Sequence, residues 1–134
     1  MSEFDDPQDQ APEAEGRALR LGRVARTIQA LRKRRSEFLH RAMLGEPAYD
    51  MLLGLYVAEL DGQSVIATRL GELAGVAQSS ALRWLDYLVT KQLIIREPHP
   101  TNKRASIVRL SGKGRDSLEG MFRAMLEGLH EAAL

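Results

Sequence analysis

The chain has 134 residues, 44% hydrophobic and 28% charged, with a formal net charge of +1 and no cysteine. That length suits one domain with its own core, and the lack of cysteine excludes a disulfide framework, a thiolate nucleophile, a thiol redox switch and a cysteine-bound zinc. No apolar run approaches the roughly 18 residues of a membrane span, and the acidic N-terminus lacks the basic-then-apolar order of a signal peptide. The expectation is a cytoplasmic protein without membrane contact.

Charge is unevenly placed. Residues 1–15 carry six acids and no base, and the two prolines and sparse apolar content of this stretch predict a disordered acidic tail. Residues 16–41 carry nine bases against Glu37 alone. That asymmetry fits either a polyanion-facing surface or mutual neutralisation of the two segments. From about Arg17 to Met43, Leu21, Val24, Ile28, Leu31, then Phe38 or Leu39 and Ala42 draw a narrow helical stripe that suits a partner helix. Arg35 falls within about 20° of Ile28 on that stripe, at 100° per residue. It is either a snorkelling stem with a paired head or a cation that pairs across a dimer or meets an anionic effector. The run "RKRR" (Arg32–Arg35) wraps nearly a full turn, so it is a solvated surface or a contact to nucleic-acid backbone, not one flat patch.

Gly45-Glu46-Pro47 ends this helix, and Pro47 can open the next, because proline is tolerated in a first turn. "AYDMLLGLYVAEL" (Ala48–Leu60) is apolar nearly all round and belongs at the centre of the core, with Asp61-Gly62 as the turn after it. Leu70, Leu73 and Ala74 are spaced for a short helix, and Gly75 sits where a turn needs a left-handed residue. A second helix follows from about Gln78 to Lys91, apolar along Ala81, Leu82, Leu85, Leu88 and Val89, with Trp84 near the edge of that face. Two short helices joined through a glycine, the second opening on polar residues, form a helix-turn-helix pattern. "LIIRE" and "SIVRL" then read as two strands of an antiparallel hairpin around "PHPTNKRA". Ser111 is placed to cap a closing helix whose stripe is Leu118, Met121, Phe122, Met125, Leu126 and Leu129.

The expected fold class is mainly α with a small antiparallel β-hairpin: a winged helix-turn-helix over residues 16–134, with helices at 16–44 and 111–134 flanking it. From Ala48 to Gly114 the chain resembles the MarR-type winged-helix transcription regulators. "LGELAGVAQSSALRWLDYLVTKQLI" is similar to that family's helix-turn-helix, and "REPHPTNKRASIVRLSGKG" to its wing and following helix start. The resemblance implies a homodimer on double-stranded DNA with a pseudo-palindromic operator, plausible repression, and control by a small-molecule effector. The unburied stripes of the first and last helices point to the same dimer.

On that reading the start of the second helix enters the major groove, which is about 12 Å wide and admits one α-helix. Gln78 can read adenine, Arg83 guanine, and Ser79 and Ser80 bases or phosphates. The other reading makes the serines first-turn capping residues and Arg83 a solvated cation. Trp84 is a core residue or, alternatively, a stacking platform. At the wing, Lys103 and Arg104 are placed to reach the flanking minor groove, with Asn102 supporting the turn. Where the family has an aspartate that orients the wing arginine, Asn102 stands here, keeping an acceptor and losing the charge. His99 is a turn residue or a further DNA contact. No enzyme is expected: His40, His99 and His130 lie far apart with no metal-ligand spacing, and "SGKG" (Ser111–Gly114) lacks the spacing of a phosphate loop. No cofactor or metal is implied. The rival to a DNA-binding regulator is a winged-helix module whose basic face meets an acidic protein.

Overall fold

The structure is a computed structural model that describes residues 7–34 and 47–133. The order is α1 (Pro7–Arg34), α2 (Pro47–Leu60), β1 (Val65–Ile66), a 3-10 turn (Ala67–Arg69), α3 (Leu70–Ala74), α4 (Gln78–Thr90), β2 (Ile94–Pro98), β3 (Ser106–Leu110) and α5 (Gly112–Ala133). This is the expected mainly helical winged helix, with one addition. The hairpin of β2 and β3 gains β1 as a third antiparallel strand, in the order β1-β3-β2.

α2 is the central helix. Met51 and the run from Leu53 to Ala58 are buried, so burial continues around the cylinder as its all-round apolar sequence requires. The sheet packs one face inward: Ile94 pairs with Leu110, and Val65 with Val108, all four at most 8% exposed. Leu70, Leu85, Leu118 and Phe122 close the core from α3, α4 and α5. Phe122 meets the Tyr56 ring edge-on at 5.1 Å. The Tyr56 hydroxyl donates to Glu119 Oε2 at 2.9 Å. Burial, reinforced by the neighbouring carboxylate, raises the Tyr56 pKa.

α1 differs from the expectation at its start. The backbone is already helical from Pro7, inside the stretch read as a disordered acidic tail. Gln, Ala and Glu are good helix formers, and Pro7 occupies a first-turn position where its missing N–H costs nothing. Residues 1–6 lie outside the described residues, as do 35–46, which include the end of the expected helix and Arg35.

The α1 stripe is also partly used inside the chain. Leu21 and Ala25 are buried, and a Cβ on Gly22 would meet Leu60 Cδ1 at 3.4 Å, so α1 lies close on α2. Arg26 pairs with Asp61 at 2.6 Å, just past the end of α2, while Arg32 pairs with Asp50 near its start. The two helices therefore run antiparallel. Leu19 and Leu31 remain 70% and 57% exposed. Among the described residues no helix is long and apolar enough to cross a membrane.

Candidate nucleic-acid interface

The helix-turn-helix is α3, Gly75 to Ala77, and α4. Gly75 has φ +67°, the left-handed conformation that glycine adopts without a Cβ penalty. Its N–H bonds Glu72 O at 3.3 Å and the Val76 N–H bonds Gly71 O at 2.9 Å, a pairing that ends α3 and turns the chain toward α4.

Ala77 is the N-cap of α4, and no side chain caps the helix. Among the described residues, the capping reading of Ser79 and Ser80 therefore has no hydrogen bond behind it at the N-cap of α4. Gln78, Ser79 and Arg83 are exposed and Ser80 is half-buried. Ser79 and Arg83 are four residues apart and share a helix face. Asp86 and Thr90 continue that exposed face. Trp84 is half-buried against the core and meets the Tyr87 ring edge-on at 5.7 Å, which is a packing role.

A carboxylate on this face would repel phosphate, and Asp86 has a cation beside it. Arg96 on β2 brings Nη1 to 3.9 Å from Asp86 Oδ1 and donates from Nε to Ser106 Oγ on β3 at 2.9 Å. One arginine thus links both wing strands to α4. The sequence reading passed over Arg96, because a single cation in an apolar run carries no pairing information until the strand register is known. On the other sheet face, Arg109 donates to Glu97 Oε1 at 2.7 Å. That bond and the guanidinium charge hold the Glu97 carboxyl below the ordinary carboxylate range.

The tip of the wing is a hydrogen-bonded turn. The N–H of His99 donates to Ala105 O at 3.2 Å, and that of Ala105 to Asn102 O at 3.1 Å. Asn102 Oδ1 accepts the Arg104 N–H at 3.0 Å, so the asparagine shapes the turn through its retained acceptor. His99 Nδ1 accepts two backbone N–H groups, from Thr101 at 3.1 Å and Asn102 at 3.0 Å. Asn102, Lys103 and Arg104 are all exposed. Arg32, by contrast, is committed elsewhere: besides its pair with Asp50, its guanidinium lies 4.4 Å from the centre of the Tyr49 ring.

A cleft of about 880 Å³ opens between α2, α4 and α5, lined by Tyr49, Leu52, Trp84, Tyr87, Leu118 and Met121, with Arg83 at its wall. Among the described residues the buried Tyr49 hydroxyl there has no hydrogen-bond partner.

No protein-family model matches the chain, and no curated protein sequence does. Solved structures do. A cysteine-to-serine mutant of MarR from E. coli is 23% identical at a TM-score of 0.56, over 83% of this chain and 79% of that one. MepR from S. aureus, in a structure described as its DNA-binding conformation, is 16% identical at 0.53, over 81% and 80%. A MarR family transcriptional regulator from Silicibacter pomeroyi is 22% identical at 0.53, over 78% and 67%. The chain has the winged-helix fold of these regulators.

Proposed function

We propose that this chain is a cytoplasmic, sequence-specific double-stranded DNA-binding transcriptional regulator that acts as a homodimer and represses by occluding a promoter. α4 lies in the major groove, where Gln78, Ser79, Ser80 and Arg83 meet base edges and phosphates. The wing reaches the adjoining minor groove with Lys103 and Arg104, held by Asn102. The observation that carries this reading is one arrangement: an uncapped helix start with an exposed polar face, joined through Asp86 and Arg96 to a hairpin whose tip exposes two adjacent cations. An exposed tip of this kind gives a module that only packs against protein a strongly hydrated, charged edge. For a polyanion it is the point of contact.

The exposed apolar residues of α5 supply a self-complementary seam for the dimer. Release by a small molecule is part of the proposal, and the cleft behind Arg83 is where such a molecule would displace the recognition helix.

Selection of bound duplexes from a random pool tests the reading. The expected product is a pseudo-palindrome with half-sites about one helical turn apart, bound roughly a thousandfold more tightly than unrelated duplex. Arg83→Ala is expected to relax preference at one base pair by about 1–3 kcal/mol. A pool that returns no motif favours the protein-interaction module.

A further inference from the structure

Arg104 is tied to the His99 ring by a chain of hydrogen bonds through Asn102, and Lys103 lies between these two residues in the turn. Nδ1 accepts from the Thr101 and Asn102 amides, and Thr101 Oγ1 lies 3.4 Å from the same nitrogen. Asn102, fixed at its amide, then accepts the Arg104 N–H. A ring nitrogen that accepts carries no proton, so this turn requires neutral imidazole with its proton on Nε2. Imidazolium has a donor at both nitrogens. It would set Nδ1–H against two amide N–H groups and lose both bonds together.

The charges around the ring do not compensate. Lys103 and Arg104 share the turn with it, and the strands beneath carry Arg96, Glu97 and Arg109. Glu97 is engaged by Arg109, and Asp86 of α4 faces Arg96. Among the described residues no carboxylate is hydrogen-bonded to the ring.

We propose that His99 is the positioning residue of the wing tip, orienting Lys103 and Arg104 through an unprotonated Nδ1, and that protonation of the ring opens the turn and weakens DNA binding. The sign sets this apart from simple charge. A histidine that merely added a cation near phosphate would tighten binding in acid. The inference rests on the DNA-binding reading for its consequence, but not for the ring–turn coupling itself.

Two measurements on the full chain test it. The first is NMR without DNA, from about pH 8 to about pH 5, spanning the imidazole range. The Nε2–H tautomer is expected at the upper end, with the Thr101 and Asn102 amides shifting along the His99 titration. The second is duplex affinity at fixed ionic strength for the natural chain, His99→Asn and His99→Ala. Asparagine offers an acceptor near the place of Nδ1 and does not titrate. The natural chain is expected to lose about three- to tenfold in affinity on acidification, the worth of one to two neutral hydrogen bonds. His99→Asn is expected to hold its affinity across the range, and His99→Ala to bind weakly throughout. An Nδ1–H tautomer at high pH, amides indifferent to the ring, or equal acid responses of the natural chain and His99→Asn would overturn the proposal. If no duplex binds at either pH, the DNA reading falls, and the amide shifts alone decide the coupling.

Discussion

Leu85, Ile94, Val108 and Leu110, in the lobe from α2 to β3, are at most 2% exposed, whereas Met121, Met125, Leu126 and Leu129 on α5 are 38–67% exposed. The contrast runs along a single helix, because Leu118 and Phe122 at the start of α5 belong to the buried set. The lobe completes its core with Leu118 and Phe122 of α5 and Leu21 and Ala25 of α1, leaving Leu60 and Tyr87 exposed at its edge. The far half of α5 leaves its apolar residues exposed, and that exposure has a cost that association with a second copy would remove. Truncating the inner residues should therefore destabilise the chain, and charging the outer ones should separate copies.

The largest expected effect is Phe122→Ala, which empties a fully buried site against Tyr56. It should cost about 3–5 kcal/mol, read by denaturant unfolding. A loss below about 1 kcal/mol would mean that the α5 start is not part of the core.

Gly114→Ala comes next. A Cβ there would lie 2.2 Å from Leu93 O, where α5 passes over the start of β2. About 1–3 kcal/mol is expected, because a carbonyl that also accepts the Ser111 N–H at 3.0 Å has little room to retreat.

Charging the outer face with Met125→Glu and Leu129→Glu should leave the stability of one folded copy within about 0.5 kcal/mol, as exposed sites do, and remove the part of the stability that rises with protein concentration. Sedimentation should then report a monomer in place of a dimer. An unchanged association state would assign the contact to α1 instead.

The smallest effect belongs to Glu97. Its carboxyl is held below the ordinary range by Arg109, so the stabilisation is present above that range and is lost as pH falls through it. The difference in Tm between the natural chain and Glu97→Gln should be small near neutrality and close below about pH 4.

Much of the architecture was legible because period and punctuation agreed. The all-round apolar α2, the glycine at the α3–α4 turn and Ser111 all stand as expected. The Ser111 hydroxyl accepts the Gly114 N–H at 2.9 Å and donates to Gln92 O at 2.6 Å. β1 escaped notice because two residues are too few to show alternation, and only its pairing of Val65 with Val108 makes it a strand. The tail composition argued for disorder over residues 7–15, where helix propensity without any apolar stripe leaves no periodic signal. The role of Arg96 depends on the register of β2 against β3, which fixes who faces whom only after the hairpin forms, whereas the acceptor role of His99 is a local turn contact, one of several that a turn sequence can adopt.

The central claim is that α4 and the wing bind duplex DNA, and the salt dependence of affinity tests it most directly. The natural chain and the Lys103→Ala, Arg104→Ala double variant would be titrated with one selected duplex across a range of salt. If the tip meets phosphates, affinity falls on substitution and the log–log slope becomes shallower by about 2, at roughly 0.9 for each phosphate that is no longer neutralised. Unchanged affinity and an unchanged slope would contradict the account.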